Sequence, residues 1–564
     1  MPSNPKAANL SDNGEAKVPR RGRTLVLCFD GTSEYYSQWN SNIVHIFSLL
    51  RKDDPSQQLV YYQPGIGTYL VDVPVVGPVA QWIVKTLDRG LAFSLGGHVM
   101  SGYRFLMDNW LEGDRICLFG FSRGAYTARA LAGMLFQIGL LPKGMEEEVP
   151  FAYAIYRKQQ ASAQYKRDFA RTVNIEFIGV FDTVSAVGAL IPRTLPFSSD
   201  NHITRTFRHA LSLDEHRAAF QPQPWERTID PPSTSGGRDE ESGGKAEPMP
   251  QLGQKHVGII RTGFSMLGKG LKKIICLGRS SQYDPTDYPS PQPGPSTDVK
   301  EVWFAGCHTD IGGGSDLGGI DYSLAHISLR WMLKEILIAP DGAGILWNES
   351  DPRFAALGIV LNPSATPSIA TNGQGSRPSS GPTHSDYSAI APLLRATPGS
   401  YEPDDAPSPH LPVDVRREDM LSPIHDALKE DPGWWIVEFL PFILASQKAD
   451  DVWKNHIRVN LFRGRTIEPP PSPETSPNSR DSDDPDHRGA NITTAPALFH
   501  VSVRERIEAT AADLSAAAKI RADEDYALQH NGKKRGWQLF GSTKTGKYTP
   551  RAHLEGGGKP VFVR

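Results

Sequence analysis

The chain has 564 residues, with 60 lysines and arginines against 63 aspartates and glutamates, for a formal net charge of −3. This near-neutral balance argues against a nucleic-acid-binding protein held by bulk electrostatic attraction. Its four cysteines show no CxxC pairing, and they are too few for a disulfide scaffold. No metal site is therefore expected, and buried thiols in a reducing compartment are the simplest interpretation.

Predicted strands alternate with predicted helices along the chain. Short apolar runs rich in β-formers predict strands over 24–30, 58–62, 115–120, 174–181, 207–213 and 302–306. Apolar residues at helical spacing predict helices over 42–50, 78–87, 91–111, 122–138 and 322–338. Continuous apolar runs are typical of strands buried on both faces. We therefore predict an α/β fold in which helices cover both faces of a mostly parallel sheet.

Polar, aperiodic stretches rich in Ser, Pro, Gly and Asp predict disordered insertions within this fold. They cover 1–20, 227–255, 279–299, 362–419 and 464–496. The predicted organisation has five parts. These are a disordered tail over 1–20, a main domain over 21–345 with an insertion at about 227–299, a largely disordered insertion over 346–419, a helix-rich continuation over 420–537 with disorder at 464–496, and a flexible tail over 538–564.

One segment inside the first insertion differs from its surroundings. Residues 257–278 mix apolar side chains with Arg261, Lys269, Lys272 and Lys273. Such a basic amphipathic segment can contact a membrane surface, form a lid or dock as an ordinary helix, and the sequence leaves these three roles open.

The sequence predicts neither a secretory signal nor a membrane-spanning helix. The polar N-terminus lacks the apolar region of a secretory signal, and no run of about 18 uninterrupted apolar residues occurs. We expect a cytoplasmic protein that makes at most peripheral contact with membranes.

Gly120-Phe121-Ser122-Arg123-Gly124 forms a GxSxG motif between a predicted strand and a predicted helix. The two glycines allow a sharp turn that lifts the serine hydroxyl above the sheet. The backbone N–H of Arg123 lies near the helix N-terminus, where it can face a developing oxyanion. We predict that Ser122 is a nucleophile.

A serine nucleophile needs a base and an acid that orients the base, in the chain order serine, acid, histidine. Asp182 ends the strand over 174–181, and His308 follows the last predicted strand just before three glycines. We predict that they are the acid and the base. Asp310 is the rival acid, but in an extended loop it should point away from the His308 ring.

The first strand ends in a turn, Asp30-Gly31-Thr32. An early strand-to-helix loop supplies the second oxyanion donor in hydrolases of this type, so the backbone N–H of Gly31 or Thr32 is the candidate. Asp30 is either part of a secondary site or a turn and cap residue.

Several sequence blocks together resemble one hydrolase family. They are FDGT, GFSRGAYTAR, FDTVSAVG, LDEHRAAF and WFAGCHTDIGGG, and they span about residues 24–345. They are similar, in the same order, to a family of α/β-hydrolases of unknown function that includes the catalytic domain of type VI secretion phospholipase effectors and many fungal proteins. The Pro/Ser-rich insertions fit the fungal members better than the bacterial effectors.

The resemblance implies an α/β-hydrolase-like fold and a triad of Ser122, Asp182 and His308. It also implies esterase or phospholipase chemistry on a small-molecule or lipid ester, without metal or organic cofactor. In the LDEHRAAF block, an ion pair of the acidic residues Asp214-Glu215 with Arg217 is the structural expectation. A thioesterase or amidase, or a non-catalytic interaction protein on the same scaffold, remains an alternative, and the oligomeric state is left open.

Overall fold

The computed structural model describes residues 22–32, 34–65, 89–158, 162–184, 195, 201–225, 297–317, 322–359, 361, 413–431, 434–439, 441–447, 453–467, 497–509, 552–554 and 561–563. The chain divides into two units, Met1–Thr228 with Gly294–Arg564, and Ile229–Pro293. All described residues belong to the first unit.

The strands are β1 (Thr24–Phe29), β2 (Trp39–Ser41), β3 (Gln58–Gln63), β4 (Arg115–Phe121), β5 (Ile175–Phe181), β6 (Thr204–Ser212), β7 (Asp298–Phe304), β8 (Gly313–Leu317), β9 (Pro441–Gln447), β10 (Trp453–Val459), β11 (Thr466–Ile467), β12 (Leu498–His500), β13 (His553–Leu554) and β14 (Val561–Val563).

The α-helices are α1 (Asn42–Leu49), α2 (Arg89–Asn109), α3 (Ser122–Ile138), α4 (Val149–Lys158), α5 (Ser162–Phe169), α6 (His308–Gly312), α7 (Leu324–Ile338), α8 (Pro352–Ala356), α9 (Val413–Leu421), α10 (Ala427–Glu430), α11 (Trp435–Glu438) and α12 (Val501–Glu508).

One sheet organises the molecule. Within the described residues it has eight strands in the order β14-β12-β7-β6-β5-β4-β1-β3, and each adjacent pair is parallel. This confirms the predicted mostly parallel α/β architecture. Because the strands run in one direction, their carboxyl ends meet at a single edge, where such sheets place functional residues.

Helices cover the sheet on both faces, as the continuous apolar strands predict. Along β1, Leu25 and Leu27 pack into one buried cluster with residues of α2 and α3. Val26 and Cys28 point the other way, into a second cluster with residues of α1 and α7. Alternate side chains of one strand therefore fill two cores, so the sheet lies in the interior.

The predicted helices and strands of the main domain lie close to the observed ones. The helix over 42–50 is α1, and the Ser41 hydroxyl caps it by accepting a hydrogen bond from the Val44 N–H. The predicted helix over 78–87 and the basic amphipathic segment 257–278 lie outside the described residues, so neither prediction is tested.

The C-terminal part contains more regular structure than predicted. The described part of 420–537 includes four strands beside short helices, and the predicted tail over 538–564 contributes β13 and β14. The short apolar run Val561-Phe562-Val563 extends the main sheet by pairing with β12, which explains why it is a strand.

Two edges of the predicted disordered insertion over 346–419 are helical. Helix α8 begins at Pro352, and its cap Asp351 accepts a hydrogen bond from the Arg353 N–H. Helix α9 buries Met420 and Leu421, and its fully buried Asp419 pairs with Arg330 of α7. Local capping and packing therefore order these segments despite their polar composition.

Among the described residues, no helix combines the length and the apolar character needed to cross a membrane.

The central strand gives a direct test of this packing. Leu118 of β4 is fully buried, and Leu118→Ala is expected to lower the free energy of unfolding by about 2–5 kcal/mol because it leaves a cavity. Leu111, which is 44% exposed, is the matched control, and its replacement by alanine should change stability by less than about 0.5 kcal/mol. Urea denaturation measures both, and equal losses in the two variants would contradict this packing.

Candidate active site

Ser122 lies where β4 turns into α3 and is the first residue of the helix. Its φ of 57° is in the left-handed region, which costs a non-glycine residue about 1–3 kcal/mol. Gly124 is required by close packing, because a Cβ atom there would collide with the carbonyl oxygens of Phe29 and Asp30. The motif thus holds a strained serine at the edge of the sheet.

The structure brings Ser122, His308 and Asp182 into one hydrogen-bonded series. Ser122 Oγ lies 2.7 Å from His308 Nε2, and His308 Nδ1 lies 2.6 Å from Asp182 Oδ2. The three side chains stand at the carboxyl ends of β4 and β5 and just after β7. Residues far apart in sequence therefore meet because neighbouring parallel strands end at the same edge.

The Asp182 carboxylate is completely buried. Its Oδ1 accepts hydrogen bonds from the Ser212 N–H at 2.9 Å and from Arg465 Nη1 at 2.6 Å. Arg465 Nη2 donates to Oδ2 at 2.9 Å. Burial alone would raise the pKa of the Asp182 carboxyl, but the charge of Arg465 and the contact with His308 hold that pKa well below its ordinary value. Asp182 is therefore held ionised beside the imidazole.

Aromatic rings enclose His308. The Phe121 ring lies 4.7 Å from the imidazole, and the Phe220 ring meets it edge-on at 4.8 Å between centroids. Burial lowers the pKa of His308 below its ordinary value of 6.5, and the hydrogen bond that His308 Nδ1 donates to Asp182 opposes part of that effect. The neutral imidazole, which can accept a proton, is therefore favoured.

His308 begins a short helix, which corrects the expectation of an extended loop around Asp310. Asp310 lies in the first turn of α6 and accepts a hydrogen bond from the Cys307 N–H at 2.8 Å. Its Oδ1 lies 2.6 Å from His425 Nδ1. Asp310 thus caps the helix and anchors a downstream segment, whereas Asp182 occupies the position beside His308 Nδ1.

Asp30 ties the loop after β1 to neighbouring elements. Its Oδ1 accepts hydrogen bonds from the Gly31 N–H at 2.8 Å and the Ser41 hydroxyl at 2.6 Å, and its Oδ2 accepts one from the Tyr62 hydroxyl at 2.7 Å. Burial raises the pKa of the Asp30 carboxyl, and these hydrogen bonds oppose the increase. The contacts join the turn after β1 to Ser41, the cap residue of α1, and to Tyr62 of β3, and no described helix begins at Asp30. They also engage the Gly31 N–H, one of the two candidate oxyanion donors.

The expected ion pair between Glu215 and Arg217 is present, with Arg217 Nη2 and Glu215 Oε2 2.8 Å apart. Glu215 Oε2 also accepts a hydrogen bond from the His308 N–H at 3.3 Å. The pair therefore supports the backbone of the histidine.

Two neighbours of this hydrogen-bonded series were not predicted from the sequence. Phe220 lies within the LDEHRAAF block, but no periodicity marks it as a partner of His308. Arg465 belongs to a short polar stretch, Arg463-Gly464-Arg465-Thr466, far from any motif. No local signal could have linked it to Asp182, because the contact spans 283 positions of the chain.

Comparison with known proteins relates the chain to one enzyme family. The family model described as "T6SS, Phospholipase effector Tle1-like, catalytic domain" matches residues 23–335, more than half of the chain. The uncharacterized protein YEL023C of Saccharomyces cerevisiae is 29% identical in an alignment 553 residues long, gaps included, that covers 79% of this chain and 77% of that protein.

A crystal structure of an uncharacterized protein from Pseudomonas aeruginosa is also similar, with 17% identity and a TM-score of 0.30 over 71% of this chain. The present chain spans about half, 53%, of that bacterial protein.

The close packing of the GxSxG turn can be tested with one added methyl group. Gly124→Ala is expected to lower the free energy of unfolding by about 1–3 kcal/mol, because the new Cβ displaces the backbone of β1 or of the Ser122 turn. Gly97, a helical glycine with no atom within 4 Å of an added Cβ, is the control. Gly97→Ala should leave stability unchanged or raise it by up to about 1 kcal/mol. Thermal unfolding measures both, and a Gly124→Ala variant as stable as wild type would refute the packing argument.

Proposed function

This chain belongs to the T6SS phospholipase effector Tle1-like family, and we propose that it hydrolyses carboxylic esters of acyl lipids with Ser122 as the nucleophile. The observation that carries the proposal is the hydrogen-bonded series from Ser122 through His308 to Asp182, with distances of 2.7 and 2.6 Å. A hydroxyl, an imidazole and a carboxylate in this order form the arrangement that activates serine for acyl transfer.

In the acylation step, Ser122 Oγ attacks the acyl carbonyl carbon while His308 Nε2 takes the hydroxyl proton. The carbonyl electrons move to oxygen, and the tetrahedral intermediate then expels the alcohol, which receives the proton from Nε2. Asp182 accepts a hydrogen bond from His308 Nδ1–H. This contact keeps Nε2 unprotonated, so that it can accept the proton, and it stabilises the imidazolium that forms. The 2.6 Å contact and the low pKa of Asp182 support this role.

Two backbone N–H groups are proposed to bind the oxyanion, those of Arg123 and Thr32. Arg123 follows the nucleophile in the first turn of α3, where the positive end of the helix dipole favours negative charge. Thr32 is preferred to Gly31, because the Gly31 N–H already donates to Asp30. Each such donor contributes roughly 3–4 kcal/mol to stabilisation of the transition state.

Deacylation repeats the same chemistry with water as the nucleophile. His308 Nε2 takes a proton from water, the hydroxide attacks the acyl-enzyme carbonyl, and Ser122 leaves with the proton returned by His308. The products are a carboxylic acid and the regenerated serine. These steps use side chains and backbone of this chain alone.

The choice of acyl lipids rests on the family, which is one of phospholipase catalytic domains. The acyl-enzyme steps are common to esters, thioesters and amides, so the catalytic side chains do not by themselves select the leaving group. Peripheral membrane contact through 257–278 and a cytoplasmic location stay predictions.

A fluorophosphonate probe tests the nucleophile directly. The wild-type protein should be labelled at Ser122, and Ser122→Ala should lose both labelling and at least about 10³-fold of its ester hydrolysis, because the hydroxyl that would form the acyl-enzyme is removed. Ser101→Ala, in helix α2 and outside the site, is the control and should behave like wild type. Folded wild-type protein that remains unlabelled would end the serine-hydrolase proposal.

The pH dependence of hydrolysis tests the base. His308 must be neutral to accept the Ser122 proton, and burial lowers its pKa, so activity should persist below the ordinary histidine pKa of 6.5. We expect the acidic limb of kcat/KM for a soluble p-nitrophenyl ester to have its midpoint below pH 6.5. A midpoint at or above pH 6.5 would contradict the lowered pKa of His308.

A further inference from the structure

The guanidinium of Arg465 lies against both oxygens of the Asp182 carboxylate. Nη1 is 2.6 Å from Oδ1 and Nη2 is 2.9 Å from Oδ2, a two-pronged contact that fixes the plane of the carboxylate. Oδ2 is also the atom that meets His308 Nδ1. The Arg465 side chain is only 1% exposed, so the pair is shielded from water and salt.

The same guanidinium also binds the backbone of two neighbouring segments. Nη1 donates to the Ser212 carbonyl at 3.0 Å, and Nη2 and Nε donate to the Phe220 carbonyl at 2.6 and 3.2 Å. Ser212 supplies the N–H that binds Asp182, and the Phe220 ring packs edge-on against His308. One side chain thus joins the acid to the two elements that surround it.

We propose that Arg465 is a positioning residue of the active site, which holds the Asp182 carboxylate against His308 Nδ1 and compensates its negative charge. This inference rests on the proposed hydrolase function. Arg465 lies well beyond residue 335, where the family match ends. The C-terminal part of this chain therefore contributes a residue to the active site.

Charge compensation predicts a direction for the effect. Without Arg465, the buried Asp182 carboxylate would keep two hydrogen-bond partners among the described residues, the Ser212 N–H and His308. An uncompensated buried carboxylate attracts a proton onto the adjacent imidazole, which raises the pKa of His308. With the guanidinium present, the imidazole stays neutral at lower pH and remains available as a base.

Other charged or titratable groups also surround His308 and Asp182. They are Asp214, Glu215, Arg217, Cys307, Asp310 and His209. Glu215 is paired with Arg217, and Asp310 binds His425 and the Cys307 N–H. None of these hydrogen bonds and ion pairs includes Arg465. Burial raises the pKa of Glu215, and the charges of Arg217 and Arg465 lower it, so a substitution of Arg465 also acts on Glu215, which keeps its ion pair with Arg217.

Two substitutions separate the charge of Arg465 from its shape. Arg465→Gln removes the charge and should raise the midpoint of the acidic limb of kcat/KM by about one pH unit, with a loss of about 10²-fold in kcat. Arg465→Lys retains the charge but lacks the planar guanidinium that binds both carboxylate oxygens. Its midpoint should therefore stay near that of wild type while kcat falls. The assay uses the full chain and a soluble p-nitrophenyl ester.

Arg330→Gln is the matched control, because Arg330 and Asp419 form another buried arginine–aspartate pair, with Nη1 2.5 Å from Oδ2. This variant should lose thermal stability without moving the pH midpoint. A folded Arg465→Gln variant whose midpoint and kcat match those of wild type would overturn the inference. If that variant does not fold, Arg465→Lys with wild-type kcat overturns it instead.

Fluorophosphonate labelling of the wild type distinguishes the two levels of failure. An unlabelled wild type refutes the hydrolase function itself. A labelled wild type with an unmoved Arg465→Gln midpoint refutes only the role of Arg465.

Discussion

The site depends on keeping a carboxylate ionised in a place that water does not reach. Asp182 is fully buried, and a buried charge without partners would take up a proton. Its two oxygens accept hydrogen bonds from the Ser212 N–H, the His308 ring and the Arg465 guanidinium. These partners come from the end of β6, the helix after β7 and the segment after β10, so the acid ties together three distant parts of the chain.

The parallel sheet supplies the rest of the geometry. Adjacent strands β4 and β5 end at one edge, which sets Ser122 beside Asp182, and β7 brings His308 to the same edge. Backbone strain accumulates there, since both Ser122 and Asp182 have positive φ values, 57° and 38°. Strain of this kind persists only where surrounding contacts fix the conformation.

The sequence predicted that Ser122, Asp182 and His308 belong to one site, because each has a local signal, a small-residue turn or a strand end followed by a polar side chain. It also predicted the parallel sheet, because buried strands read as continuous apolar runs. The prediction of an extended loop around Asp310 was wrong. Helix α6 begins there because Cys307 and Asp310 form a reciprocal capping contact, and these residues alone do not distinguish such a cap from a loop. Arg465 could not be found, because its role arises only when the C-terminal part folds against β5 and β6. Strand β14 likewise becomes a strand through its pairing with β12.

The central claim is that Ser122 carries the acyl group during turnover. Intact-protein mass spectrometry of the wild type, acid-quenched during hydrolysis of an activated ester, measures this most directly. We expect a mass increase of one acyl group, mapped by peptide analysis to Ser122 and accompanied by a stoichiometric burst of alcohol. Steady hydrolysis by pure wild-type protein that proceeds unchanged in Ser122→Ala, with any acyl group on another residue, would contradict it.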